Sequence, residues 1–381
     1  MISDLMTKIF FKLIILLFAT ANLLMPGIRE KVDFSMAEKS IEWIKLIKGG
    51  SSKAEQKIFF NNNILITSGA GSIKKYWNSI TESDIPELNT YFFHLLKKRE
   101  PGKKWNFNIL TKEWYRRSRG LFLKVYKKPD FYNKVLERLK KYDIAGEALK
   151  LAGECLPDIN LDDIKIEFIF FGHSLAFSVE NMCVYDFLQL PVDKKGNIYI
   201  SEVIQTLAHE IHHLGFKRIA NNKMNGVVNT EKLSLIWMLS TEGIPTFYID
   251  KPFEKINEFK KRKDILYKRI ASDWEKHREN LKGLYIEAEN DISLALKGKL
   301  SLSAINWKWN EGVKGAVYVL GSDMVSVIDE FLGKDAVMDV MADYRKLIKI
   351  YNNAVKAGNR AGRELYVFSD KIGGMVSDFI E

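Results

Sequence analysis

Cysteine is almost missing from this chain: 381 residues contain only Cys155 and Cys183. Two cysteines exclude a disulfide scaffold and a thiolate zinc site. They leave open one bridge or none, and they do not fix the redox compartment. Low-complexity segments are also missing. With 28% charged residues, 46% hydrophobic residues and abundant Phe, Tyr and Trp, the chain reads as globular rather than disordered. No nucleic-acid signature stands out, and aromatic and basic residues do not interleave convincingly. The formal charge of +10 comes from lysines scattered among acids, such as Lys97, Lys98, Lys103, Lys104, Lys140 and Lys141. That pattern describes a solvated lysine-rich surface, so nucleic acid is not an expected partner. Gly69-Ala70-Gly71-Ser72 lacks the lysine and third glycine of a phosphate loop and reads as a turn or helix cap.

A long membrane-spanning run is absent too. The apolar stretch Leu13–Met25, preceded by Lys8 and Lys12, is the length of a signal-peptide core and shorter than a membrane-spanning helix needs. Ala19-Thr20-Ala21 fits a small-x-small cleavage site. The expected reading of residues 1–27 is a signal peptide or N-terminal membrane anchor, which makes the protein secreted or anchored outside the cell. The alternative is the first amphipathic helix of a cytoplasmic protein; Asp4 and Lys12 favour it.

Residues 33–160 read as mainly helical. Ile41, Ile44 and Ile47 recur at helical spacing, as do Val135, Leu136 and Leu139, and Pro129 is expected to divide the second run. Ile164–Phe171 and Met182–Leu190 read as strands, so a small sheet precedes the next helical stretch. From Ser201, a plausible N-cap, apolar residues at 204, 207, 208, 211 and 214 line one helical face. Asn221–Lys232 reads as a polar loop and Leu233–Leu239 as a buried helix. Pro252–Leu300 reads as a charged helical hairpin or insertion, and Val317–Val340 as an amphipathic pair broken at Gly333.

The helix from Ser201 carries His209-Glu210-Ile211-His212-His213. A helix turns about 100° per residue, so residues four apart differ by only about 40°. His209 and His213 therefore project together and can grip one metal ion. Glu210 lies between them, placed to reach a water on the metal rather than the metal itself, as a general base would be. A His209/His212 pair is also sterically feasible but places Glu210 less well, so His212 is read as a surface residue or a supporting one. Zinc needs a third protein ligand, and Glu231 and Glu242 are the candidates. A carboxylate in the apolar run around Glu242 is expensive unless paired or metal-bound, which favours Glu242.

A His-Glu-x-x-His helix followed by Glu242-Gly243 on a second helix resembles the gluzincin metallopeptidases. The chain from about residue 33 also resembles the less-characterised zinc-dependent peptidase families of bacteria and archaea, which share a late Tyr-x-x-Gly helix, here Tyr318-Val-Leu-Gly321. The resemblance implies an α+β, mainly α, zincin-like fold in which a small mixed sheet packs on the motif helix. Residues 33–160 would form a helical N-terminal region, 161–250 the catalytic core, and 251–381 a helical region completing the cleft. It implies a zinc-dependent peptidase with one zinc ion on His209, His213 and Glu242. Glu210 would be base and proton shuttle, Tyr318 the first candidate for oxyanion stabilisation, and a peptide or protein the substrate. The gap from His213 to Glu242 is longer than in the gluzincins, and an insertion at Asn221–Lys232 would reconcile it. His173 is expected to be a loop histidine, and His94 and His277 to be non-catalytic. Two other readings remain: a non-proteolytic, metal-binding cell-envelope protein on a retained peptidase fold, and a basic surface-binding protein with structural histidines.

Overall fold

The computed structural model describes residues 31–80, 87–96, 112–157, 159–223, 231–262 and 265–379. The expected N-terminal signal or anchor lies outside the described residues, and no helix among those described is long and apolar enough to cross a membrane. The fold is α+β and mainly α, with one small mixed sheet. The chain divides into two compact units: residues 1–149 with 162–207, and residues 150–161 with 208–381.

The first unit holds the sheet. Its strands are β1 (Val32–Asp33), β2 (Lys165–Ile169), β3 (Ala176–Val179) and β4 (Met182–Asp186), in the order β1-β2-β4-β3. β2 pairs in parallel with β1 and β4, whereas β3 runs antiparallel to β4. Both β2 and β4 are buried on both faces beyond their first residue. Double burial explains why their sequences run apolar instead of alternating. β1 has two residues and β3 four, too short to carry a period, and the sequence reading misses both. The one acid inside β2, Glu167, is buried and accepts a hydrogen bond from Ser72 Oγ at 2.5 Å. Ser72 lies on the helix Ser68–Ile80, so the Gly69–Ser72 stretch opens a helix and positions a partner for a strand.

An aromatic core forms beside the sheet. Trp43 on the helix Ser35–Lys48 meets Phe60 edge-on with centroids 5.0 Å apart, and Phe122 meets Phe170 edge-on at 5.7 Å. Pro129 divides the helices Lys112–Lys127 and Pro129–Leu139, as expected. His173 is buried here, stacked on Phe171. Burial and then the nearby Arg117 charge depress its pKa to about 4. The unfolded chain takes up that proton near pH 6.5, so stability is full above this pH and falls as pH drops toward 4. Denaturant titrations at pH 7 and pH 4.5 are expected to show wild type losing about 2–3 kcal/mol more than His173→Gln across that interval. Equal losses would contradict this.

The second unit is helical. Its central helix, Ser234–Pro245, is buried along nearly its whole length, including Leu235, Ile236, Leu239, Gly243 and Ile244. A helix that is apolar all round belongs inside a core. Its buried hydroxyls return to its own carbonyls: Ser240 Oγ donates to Ile236 O and Thr241 Oγ1 to Trp237 O, both at 2.9 Å. The principal partner is the helix Ala316–Leu332, and Gly333 separates it from Lys334–Ala342 as expected. The two helices cross at a pair of glycines. A Cβ on Gly243 would lie 2.4 Å from the carbonyl carbon of Gly321, and one on Gly321 would lie 2.4 Å from Leu239 O. Only a residue without Cβ allows backbones to approach so closely.

Candidate metal centre

The motif helix runs from Ile200 to Lys223, two residues earlier than a Ser201 cap requires and three residues into the stretch read as a polar loop. From Ala208 onward it belongs to the second unit. The i, i+4 spacing sets the His209 and His213 rings edge-on, with centroids 4.7 Å apart. Glu242, from the central helix of the same unit, turns its Oε2 toward both imidazoles: 3.2 Å from His209 Nε2 and 3.5 Å from His213 Nε2. These three residues form a group able to hold a metal ion.

The donor set fits zinc. Imidazole nitrogens and a carboxylate oxygen bound tetrahedrally at their usual lengths are roughly 3.3 Å apart; the two Glu242–imidazole separations bracket that value, and all three donor atoms lie within 4.8 Å of one another. The charge balance fits as well. Burial works against a charged His209, but Asp250 and Glu242 outweigh it and raise its pKa to about 10. Burial likewise opposes the Glu242 carboxylate, yet His213 and His209 hold it well below the usual range. The position between these groups therefore favours positive charge, which a divalent ion supplies in place of the imidazole proton. The side chains of His213 and Glu242 remain 19% and 20% exposed, so solvent reaches the cluster.

Glu210 is partly buried beside these residues. Burial raises its pKa, against the pull of His213 and His209. Tyr318 enters from the partner helix, its ring centroid 6.4 Å from that of His209. The glycine crossing explains this: Gly243 follows Glu242 directly, and Gly321 lies one helical turn after Tyr318. The Glu-Gly and Tyr-x-x-Gly patterns are two halves of one contact.

Other candidates fall elsewhere. Glu231 is exposed in a turn and is not part of the cluster. His173 belongs to the first unit, and Cys155 and Cys183 are both buried and form no disulfide. His212 is not a surface residue: it is fully buried, 6.2 Å from the Phe216 ring, and burial holds its pKa well below the usual histidine value. The motif helix is enclosed on more than the one face that its apolar spacing reveals.

Asp250 escapes the sequence reading. It ends the π-helical turn Thr246–Asp250 and meets His209 Nδ1, 3.2 Å from either carboxylate oxygen. A carboxylate on Nδ1 fixes the ring and directs Nε2 at a metal. The only trace in sequence is an acid closing an apolar run before Lys251-Pro252. Asp250→Asn is expected to weaken zinc binding roughly 10- to 100-fold, measured by chelator competition; unchanged affinity would remove Asp250 from this role.

In a mainly α chain, a His-Glu-x-x-His helix and a glutamate from a second helix converging on both histidines form a cluster that could hold a metal ion. The family model described as "Putative zinc dependent peptidase (DUF5700)" matches residues 53–360, and the chain belongs to that family. Neither the curated proteins nor the solved structures provide a match.

Proposed function

We propose that this protein is a zinc peptidase of the gluzincin type, with His209, His213 and Glu242 holding one ion. The observation that carries this reading is the approach of one Glu242 oxygen to both imidazoles, at 3.2 and 3.5 Å. Zinc bound there supplies a Lewis acid that activates water and polarises a carbonyl. The chain's own residues do the rest. Glu210 takes the proton from the attacking water and delivers it to the departing amine; its burial-raised pKa suits a group that must both accept and give. Tyr318, kept protonated by burial and by Glu242, Glu210 and Asp250, donates its hydroxyl hydrogen to the developing oxyanion. Asp250 orients His209. The substrate class is a peptide or protein.

Metal analysis joined to a peptide-library digest tests the proposal. Wild type is expected to hold stoichiometric zinc and cleave peptides, and Glu242→Ala to lose both. Stoichiometric zinc with a blank library would favour the non-proteolytic binder; no zinc would leave the histidines structural.

A further inference from the structure

Lys314 stands at the back of this centre, and nothing in the motif accounts for it. Its Nζ lies 3.0 Å from Asp250 Oδ2 and 4.0 Å from the centroid of the Tyr318 ring. The contacts continue inward from Asp250 to His209 Nδ1 at 3.2 Å. One ammonium therefore touches both the acid that orients a histidine and the tyrosine beside it.

The position is built rather than incidental. The Lys314 side chain is only 18% exposed. Its backbone N–H donates to Asp273 Oδ2 at 3.3 Å, and that of Val313 donates to the same oxygen at 2.8 Å. Gly312, at φ +95°, turns the chain over that carboxylate, where a Cβ would lie 2.8 Å from Asp273 Oδ2. Asp250 is held from a second side, since Lys255 Nζ donates to its backbone carbonyl at 3.0 Å. A lysine ordinarily loses side-chain entropy to hold one geometry and gains little at a surface; here the loop is anchored before the side chain begins.

We infer that Lys314 is a positioning residue that holds Asp250 against His209 and Tyr318 in place, so that zinc is retained through a Lys314–Asp250–His209 relay. The inference rests on the zinc reading above. Without the ammonium, Asp250 loses the contact that fixes its angle, and the histidine ring gains freedom. Zinc then leaves sooner, although none of its own ligands has changed.

The test is the rate of zinc release from zinc-loaded, full-length protein into excess chromogenic chelator. Lys314→Met is expected to release zinc about 10-fold faster, the lower end of the range for supporting residues of a metal site. Lys314→Arg, which restores the charge, should return to within a few-fold of wild type. In the cobalt-substituted protein the visible absorption band should shift in Lys314→Met and recover in Lys314→Arg, which a purely structural role would not produce. Lys314→Met combined with Asp250→Asn should release zinc no faster than Asp250→Asn alone, because both changes cut one relay. A wild-type rate in Lys314→Met, or effects of the two changes that multiply, would overturn the relay while leaving the zinc reading intact. Wild type that cannot be loaded with zinc would overturn both.

Discussion

Glu210→Gln is expected to retain its zinc and lose peptide hydrolysis by roughly 10²- to 10⁴-fold, the contribution of a positioned general base. Glutamine keeps the shape and some of the hydrogen bonding of glutamate but cannot accept the proton of the attacking water. None of the three proposed ligands is altered, so zinc content should stay at wild-type level. The split between retained metal and lost turnover separates a base from a ligand. Equal loss of both would make Glu210 part of the metal shell, and turnover within a few-fold of wild type would end its assignment as base.

The second large effect is expected at the glycine crossing. On an exposed helix, Gly→Ala stabilises by about 1 kcal/mol, because alanine is the better helix former. At Gly243 and Gly321 the sign should reverse. The added Cβ of Gly243→Ala meets the backbone of Gly321 at 2.4–2.7 Å, and backbone cannot swing aside as a flexible side chain can. The helices Ser234–Pro245 and Ala316–Leu332 must separate, and overpacking of this kind costs about 1–3 kcal/mol or more. For a unit of this size that lowers the thermal midpoint by roughly 2–12 °C. The same movement draws Glu242 and Tyr318 apart, so zinc retention should fall in parallel. Calorimetry of the metal-free and zinc-loaded forms separates the two losses. A midpoint at or above that of wild type would show that the crossing tolerates a methyl group and does not set the site.

The parts of the centre legible in sequence are those that a single helix encodes. His209, Glu210 and His213 follow from helical periodicity, and Glu242 from the cost of a carboxylate in an apolar run. Tyr318 came through resemblance alone; its physical reason, the contact between Gly243 and Gly321, needs two helices at once. Asp250 and Lys314 were illegible for a related cause. One closes a turn 41 residues beyond His209, the other sits in a loop 64 residues further on, and neither position repeats a pattern. The burial of His212, which rules out the surface reading and leaves the supporting one, is illegible because apolar spacing marks the face most strongly buried, not every buried face. In the first unit, β2 and β4 are visible as apolar runs, whereas β1 and β3, two and four residues long, are too short to stand out and exist through their pairing.

The claim that His209, His213 and Glu242 together hold zinc is tested most directly by zinc X-ray absorption on the purified, stoichiometrically loaded protein. The expected spectrum contains two imidazole nitrogens and one or more oxygens at about 2.0–2.2 Å, with one imidazole missing in His213→Ala and a changed oxygen shell in Glu242→Ala. A spectrum that neither substitution alters, or one containing sulfur, would place the metal elsewhere and contradict the site.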